Sequence, residues 1–198
     1  TAHTNYDIPC HVNKWSLKLK LILGVSGGIA AYKACELISY LRKKSTVEQQ
    51  VFECRVIMTK NAAQFIPPLP FEALTRHEVM TSTFSDALHH IDWAKWATHF
   101  CIAPVTANLL AKIACGFCDD ALTTTLCATP SSTPKVLAPA MNTVMWENPA
   151  TQRNLNLVRQ DGFQIAAPED KRLACGDHGV GGLAEISHIA SLLFEQSC

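Results

Sequence analysis

This sequence has neither an excess of positive or negative charge nor a continuous apolar stretch of membrane-spanning length. Its 198 residues carry 17 basic and 17 acidic side chains, so the formal net charge is zero. A balanced charge argues against partners such as nucleic acid or an anionic membrane surface. No apolar run approaches the length of a membrane span, and residues 1–17 are too polar for a signal peptide. We therefore expect a cytoplasmic protein without nucleic-acid or membrane partners.

The sequence also lacks a complete metal-binding motif. Nine cysteines are irregularly spaced, and Cys115 and Cys118 form a Cys-x-x-Cys pair that no second metal pair accompanies. We predict no metal site. Cys35, Cys101 and Cys127 lie in apolar runs, and we expect most of the thiols to be buried and reduced.

The length and the 48% hydrophobic content fit one globular domain over residues 1–198. Residues 1–17 show no periodicity and are interpreted as an N-terminal extension. Apolar runs predict strands at 19–25, 52–58, 99–103, 135–138 and 163–166. Helical spacing predicts helices at 29–42, 109–115, 154–159 and 186–194.

The first predicted strand ends in Ser26-Gly27-Gly28, directly before a predicted helix. This turn matches neither the dinucleotide pattern Gly-x-Gly-x-x-Gly nor a P-loop. The free N–H groups at the start of a helix can bind an anion. A tight turn that needs glycine for packing explains the same residues, so both interpretations stay open.

Polar residues follow later strands as well. Thr59 follows the strand at 52–58, and Thr106 and Asn108 follow the strand at 99–103. At the carboxyl end of a strand such groups can cap the next helix or contact a ligand.

Residues 139–146 form an unusual loop, because Asn142 stands among Met141, Met145 and Trp146. These side chains provide an apolar wall with one group that both donates and accepts hydrogen bonds. Alternatively, the loop tucks under the domain and Asn142 caps the helix indicated by Asn148-Pro149-Ala150.

Two further segments contain residue types that suit catalysis. His89 and His90 precede an apolar helical run, and a neutral imidazole can act as a general base near pH 7. Residues 172–185 contain Cys175 and four glycines within seven residues, which indicates either a mobile flap or a disordered linker.

Four segments together resemble the family of flavin-dependent cysteine decarboxylases, over about residues 20–186. They are Gly-Val-Ser-Gly-Gly-Ile-Ala-Ala-Tyr-Lys at 24–33, His-Ile-x-x-x-x-Trp-Ala at 90–97, Pro-x-Met-Asn-x-x-Met-Trp at 139–146 and Ala-Cys-Gly-Asp-x-Gly-x-Gly at 174–181. Val105-Thr106-Ala107-Asn108 also resembles a family motif. Gly182 stands where bacterial relatives often have Arg, so the sequence departs from the family pattern at one implied substrate contact.

The resemblance implies flavin mononucleotide (FMN) as cofactor and assigns roles to individual residues. The implied cofactor contacts are Ser26, Gly27, Gly28, Thr59, Thr106, Ala107, Asn108 and Ala140. The implied catalytic residues are His90, Asn142 and Cys175. The implied substrate contacts are Asn142, Met145, Ala174, Cys175 and Gly176, and residues 172–185 would form a mobile clamp loop.

The implied substrate is 4′-phosphopantothenoyl-L-cysteine and the implied product is 4′-phosphopantetheine, in coenzyme A biosynthesis. The cysteine would be oxidised to a thioaldehyde, lose CO₂ and be reduced again as an enethiolate.

The implied fold is a flavodoxin-like (Rossmann-like), doubly wound, three-layer α/β domain that assembles as a homotrimer or as a dodecamer of trimers. The alternatives are a peptidyl-cysteine decarboxylase and a regulatory, phosphatase-inhibitor-like flavoprotein subunit. Since the chain ends at Cys198, we expect the preceding synthetase step to come from another protein or from a removed segment.

Overall fold

A five-stranded parallel sheet forms the centre of the computed structural model, which describes residues 18–83 and 88–195. The predicted extension over residues 1–17 therefore lies outside the described residues. The strands are β1 Leu19–Val25, β2 Phe52–Met58, β3 His99–Val105, β4 Lys135–Pro139 and β5 Gln164–Ile165. Their order across the sheet is β2-β1-β3-β4-β5, with all neighbours parallel. Their carboxyl ends consequently meet at one edge, where the strand order reverses between β1 and β3.

Helices connect the strands. A short 3₁₀ helix, Ile29–Tyr32, precedes the first α-helix. The α-helices of the described ranges are α1 Lys33–Val47, α2 Ala62–Phe65, α3 Leu69–Thr75, α4 His89–Trp96, α5 Ala107–Ala114, α6 Ala121–Ala128, α7 Thr143–Glu147, α8 Pro149–Gln160 and α9 Ile186–Glu195. Within that part of the chain, no helix is long and apolar enough to cross a membrane.

The sheet buries both of its faces because successive side chains of a strand point to opposite sides. Leu21, Leu23 and Val25 of β1 pack in one apolar cluster with α1, α3 and α9. Ile22 belongs to a second cluster with α4, α5, α6 and α8. The arrangement is the three-layer, flavodoxin-like α/β sandwich that the resemblance implied.

Several predicted boundaries need correction. The helix predicted over 29–42 begins as the 3₁₀ turn and continues to Val47. The third strand extends past Ala103 to Val105. The helix predicted from Asn154 already begins at Pro149, since proline is tolerated in the first helical turn.

Asn142 and Asn148 cap two different helices. The Asn142 Oδ1 accepts from Val144 N–H and begins α7, whereas the Asn148 Oδ1 accepts from Ala150 N–H and begins α8. The alternative in which Asn142 caps the helix after Asn148 is therefore wrong, although Asn142 is indeed a helix cap.

The expectation of mostly buried thiols is wrong for the described cysteines. Cys54 and Cys101 are buried and Cys35 is half-buried, whereas the other four are exposed: Cys115, Cys118, Cys127 and Cys175. Cys127 lies in an apolar run, but its position on α6 places it on the outer side of the helix. Apolar neighbours in sequence do not bury a helical residue whose own face is turned to solvent.

The glycine-rich segment forms an antiparallel hairpin of β6, Glu169–Arg172, and β7, His178–Gly182. Met141 N–H donates to the Gly181 carbonyl at 2.9 Å, and a methyl group added at Gly181 would overlap the Met141 oxygen. The hairpin therefore packs closely on the loop after β4. A disordered linker, one of the two alternatives, is wrong, while the mobility of the clamp stays a prediction.

Candidate active site

A first cavity, of about 380 Å³, opens at the carboxyl ends of β1, β2 and β3. We call it the strand-end cavity. Most of the predicted cofactor residues line it: Ser26, Gly27, Thr59, Thr106, Ala107 and Asn108. Segments that are far apart in sequence meet here because parallel strands end at the same edge of the sheet.

Ser26 links the ends of two strands. Its hydroxyl donates to the Pro104 carbonyl at 2.8 Å and accepts from Thr106 N–H at 3.0 Å. A hydroxyl has a single proton, so Ser26 has no O–H left to donate to a ligand while this bond is kept. In this arrangement, its side chain holds the ends of β1 and β3 together.

Gly27 is required by close packing. A Cβ atom at this position would lie 2.5 Å from Asn61 Cβ and 2.8 Å from the Asn61 carbonyl carbon. The packing explanation that the sequence left open therefore applies. Anion binding by the same turn is compatible with it, because Gly27 also lines the strand-end cavity.

Thr59 and Thr106 cap the helices that follow them. The Thr106 Oγ1 accepts from Leu109 N–H and the Thr59 Oγ1 accepts from Ala62 N–H, both at 3.2 Å. Within residues 18–83 and 88–195, no acceptor takes the proton of either hydroxyl. Both hydroxyls can therefore cap a helix and still donate to a ligand in the cavity.

Sequence reasoning missed several polar residues of this cavity: Lys60, Asn61, Lys112 and Asp120. Lys112 Nζ contacts Asp119 at 2.8 Å and Asp120 at 3.4 Å. The hydrogen bond to Asp119 raises the pKa of Lys112, and the same contact lowers the pKa of Asp119. A usable signal existed, since Asn108 and Lys112 are four residues apart on α5 and share a helix face.

A second cavity, of about 670 Å³, lies between the hairpin and the loop after β4. We call it the hairpin cavity. The predicted residues that line it are Gly27, Gly28, Thr106, Ala107, Ala140, Asn142, Met145, Ala174 and Cys175. Both cavities are lined by Gly27, Thr106, Ala107 and Met145, so they adjoin.

Cys175 and Asn142 meet in the wall of the hairpin cavity although they are 33 residues apart. Asn142 Nδ2 donates to Cys175 Sγ at 3.4 Å, and Cys175 Sγ donates to Asp177 Oδ2 at 3.3 Å. The Asn142 Oδ1 is held by α7, which directs the amide nitrogen towards the thiol. Sequence reasoning did not identify Asp177, although it directly follows Cys175-Gly176.

Two residues expected at the site lie elsewhere. Gly176, a predicted substrate contact, does not line either cavity; it forms the hairpin turn with φ 95° and donates its N–H to the Leu173 carbonyl at 2.9 Å. Trp146, expected in the apolar wall around Asn142, instead packs against the core cluster that contains α8.

His90 is not brought together with Asn142 and Cys175 within this chain. It lies in the first turn of α4 and lines neither cavity, and its Nδ1 is buried without a hydrogen-bond partner among the described residues. The sequence indicated the residue type for a general base, but one copy of the chain does not place it at the thiol.

The chemistry of the two cavities fits a flavin nucleotide. The strand-end cavity offers hydroxyl, amide and ammonium groups that suit a phosphate and a polyol, from Thr59, Asn61 and Lys60. The hairpin cavity begins at the small residues Gly28 and Ala140, which leave room for a flat ring. Both volumes lie in the range of about 300–1,000 Å³ that is typical of ligand pockets.

Sequence comparisons agree with this chemistry. The model of the family described as Flavoprotein matches residues 11–197. A "Probable phosphopantothenoylcysteine decarboxylase" of Streptococcus mutans is 41% identical over 89% of this chain and 98% of its own length. A "Coenzyme A biosynthesis bifunctional protein CoaBC" of Bacillus subtilis is 45% identical over 87% of this chain, which spans only 41% of that relative.

Solved structures of similar proteins have the same fold. "PPC decarboxylase" in a cysteine-to-serine mutant, complexed with pantothenoylaminoethenethiol, has a TM-score of 0.76 and 36% identity over 88% of this chain and 96% of its own. The FMN-dependent cysteine decarboxylase SpaF has a TM-score of 0.75 and 33% identity, covering 91% and 98%. "The FMN binding protein AtHal3" has a TM-score of 0.73 and 36% identity, covering 88% and 94%.

Proposed function

We propose, starting from the fact that this chain belongs to the Flavoprotein family, that it binds FMN and decarboxylates 4′-phosphopantothenoyl-L-cysteine to 4′-phosphopantetheine in coenzyme A biosynthesis. The similarity to the Streptococcus mutans relative over almost its whole length supports this activity. The bifunctional relatives are more than twice as long as the matched region, so only the decarboxylation step is proposed for this chain. Its cytoplasmic location stays a prediction.

The observation that carries the proposal is the contact between Asn142 and Cys175 in the hairpin cavity, beside the strand-end cavity. A carboxamide and a thiol are the two groups that this chemistry needs next to the cofactor. The amide binds a carboxylate, and the thiol supplies a proton after the carboxylate has left as CO₂.

When bound, the flavin would supply a two-electron sink for the cysteine side chain of the substrate and later return the electrons. Asn142 has a second Nδ2 proton besides the one directed at Cys175, and this proton would bind the substrate carboxylate. Met145 and the hairpin would exclude water around that carboxylate. Cys175 would donate its thiol proton to the carbon of the enethiolate during reduction.

We assign His90, as base or substrate-orienting group, to the site of a neighbouring copy in a homotrimer. His90 lines neither cavity of its own chain, which agrees with such an arrangement. Ile29 and Tyr32 line the hairpin cavity and are 62% and 58% exposed. Exposed apolar side chains beside a ligand cavity suit coverage by a second subunit.

The first experiment is to record the visible spectrum of the purified protein and to weigh the products after addition of phosphopantothenoylcysteine. We expect flavin absorption bands and a product lighter than the substrate by one CO₂. Flavin without turnover would instead favour the peptidyl-cysteine or the regulatory alternative. A colourless protein that cannot be reconstituted with FMN would contradict the proposal.

Two variants test the residue roles. Cys175→Ser should release an oxidised, decarboxylated product that lacks two hydrogens, whereas His90→Asn should leave the substrate unreacted. Mixed oligomers of the two variants should regain activity, because some sites would combine His90 of one copy with Cys175 of another. If both variants leave only unreacted substrate, the assigned roles are wrong.

A further inference from the structure

The hairpin cavity has an unbalanced charge. Lys33, Lys171 and Arg172 line it, and no Asp or Glu is among the described residues that do so. The chain as a whole has zero formal charge. A local excess of cations on the wall of a cavity indicates that its ligand carries negative charge.

Lys171 is already neutralised and has a structural role. Its Nζ contacts Glu169 Oε2 at 2.7 Å and donates to the Leu183 carbonyl at 2.6 Å. Its aliphatic stem also fills the space above Gly182, where an added methyl group would overlap it. Lys171 thus holds the base of the hairpin together rather than offering a charge to a ligand.

Lys33 and Arg172 differ from Lys171 in this respect. Among the described residues, neither forms an ion pair with a carboxylate. Asp170 lies two residues before Arg172 on the same strand and contacts His178 Nδ1 at 3.3 Å. Two unpaired cations therefore remain in the cavity wall.

The two cations belong to different elements that border the same cavity as Cys175. Arg172 is the last residue of β6, three residues before Cys175 in the hairpin. Lys33 is the first residue of the 15-residue helix α1, where the positive end of the helix dipole adds to its charge. Neither cation takes part in the contact between Asn142 and Cys175.

We infer that Lys33 and Arg172 form the binding subsite for a phosphomonoester, the terminal phosphate of the substrate, while the reacting cysteine end lies at Asn142 and Cys175. The inference rests on the proposed function and specifies how the site selects its substrate. A guanidinium forms paired hydrogen bonds with phosphate oxygens, and a lysine ammonium adds a point charge. The phosphate of FMN is the second possible source of this chemistry, and the test separates the two.

The test compares the binding of 4′-phosphopantetheine and of pantetheine, which differ only in the phosphate, to the FMN-loaded protein by calorimetry. The wild-type protein should bind the phosphorylated compound more tightly. In Arg172→Gln and in Lys33→Gln, the ratio of the two dissociation constants should shrink by about tenfold, and further in the double variant. Lys43→Gln is the matched control, because Lys43 lies on α1, is exposed and lines neither cavity.

A parallel titration of the apoproteins with FMN and with riboflavin identifies which phosphate is bound. The inference requires that the preference for FMN over riboflavin is the same in wild-type and variant proteins. If the variants lose that preference and keep the ratio for the pantetheine pair, the cations bind the flavin phosphate and the inference is overturned. An unchanged ratio in the double variant overturns it as well.

The same measurements separate this inference from the proposed function. Binding that depends on Lys33 and Arg172 without any decarboxylation would contradict the proposed reaction and leave the subsite standing. If wild-type and double-variant proteins both decarboxylate phosphorylated and unphosphorylated substrates equally well, the result supports the proposed reaction and contradicts the subsite.

Discussion

The two adjoining cavities are built in different ways. The strand-end cavity consists of residues at the ends of β1, β2 and β3, and the buried Ser26 bridges two of these strands. The hairpin cavity is covered by two short strands that join the loop after β4 through the Met141–Gly181 hydrogen bond. The walls of the strand-end cavity are therefore as rigid as the sheet, whereas the shape of the hairpin cavity depends on a few local contacts.

This difference matches the tasks of the two cavities in the proposed reaction. A cofactor that stays bound benefits from walls that do not move, since the site is then preorganised. A substrate must enter and leave, and a segment held by few contacts can open at low cost in free energy. The exposed Cys175 lies on the hairpin, and the buried Ser26 directly follows β1 at the edge of the sheet.

The largest expected effect is a loss of folding stability at acidic pH, caused by a buried histidine in the sheet. Burial lowers the pKa of His99, at the start of β3, from 6.5 to about 4. The unfolded chain therefore binds a proton that the folded chain does not bind as pH falls from about 6.5 to about 4. Up to about 3 kcal/mol of the free energy of unfolding should be lost over this range.

Denaturant unfolding at pH 7, 5 and 4 checks this loss. His99→Gln should be less stable at pH 7 but should show a flatter pH dependence, while His188→Gln, at an exposed position of α9, should keep the slope of the wild type. The hairpin should lose stability at still lower pH, because the hydrogen bond from Lys171 lowers the pKa of Glu169 and weakens once Glu169 is protonated. If the free energy of unfolding depends on pH as steeply in His99→Gln as in the wild type, His99 is not the cause of the loss.

The next effect should appear in the strand-end cavity. Gly27→Ala forces the backbone of Asn61 to move and should weaken flavin binding by about 1–3 kcal/mol, as measured by fluorescence titration of the apoprotein. Gly24→Ala is the comparison, because its added methyl group would overlap the Leu122 side chain in the core, and Gly24 lines neither cavity. Equal losses in both variants would show that packing against Asn61 does not shape this cavity.

Gly181→Ala tests the hairpin cavity in the same way. The added methyl group would overlap the Met141 carbonyl and separate the hairpin from the loop. We expect flavin affinity to fall by less than kcat/KM for the substrate, which should fall by about tenfold or more. Loss of flavin together with turnover would mean that the two cavities are not independent.

The smallest of these effects concerns Asp177, which accepts the hydrogen bond of the Cys175 thiol. Asp177→Asn should slow the final reduction by about tenfold, since an amide oxygen is a weaker acceptor for the thiol hydrogen bond than a charged carboxylate. Mass spectrometry should then detect an increased share of the oxidised, decarboxylated product. Asp170→Asn removes a carboxylate of the same hairpin that contacts His178 instead, and it should not raise that share.

Regular elements and strand-end residues were predictable because their signals are local. The strands Leu19–Val25 and Phe52–Met58 agree with the prediction at both ends, since apolar runs bounded by polar residues identify buried parallel strands. Thr59 and Thr106 were found because a polar residue directly after such a strand lies at the ligand-binding edge.

The missed features depend on contacts between distant segments. Lys33 and Arg172 line one cavity only because the hairpin folds back over the start of α1. Residues 172–185 were predicted as a mobile flap or a disordered linker, since glycine has little strand propensity. The packing of Gly179 on Thr143 and of Gly181 on Met141 joins segments that are far apart in sequence. His90 was placed by resemblance, and its distance from Cys175 within the chain was not foreseeable.

The sequence by itself determined the alternation of strands and helices, the polar residues at the strand ends and the residue types needed for the proposed chemistry. These follow from periodicity and from the order of residues along the chain. Only the tertiary structure decided that Asn142 and Cys175 touch and that Ser26 bridges two strands. It also decided that Glu169 neutralises Lys171, whereas no carboxylate of residues 18–83 and 88–195 pairs with Lys33 or Arg172. Such pairings depend on the register of segments far apart in sequence, and no local pattern encodes that register.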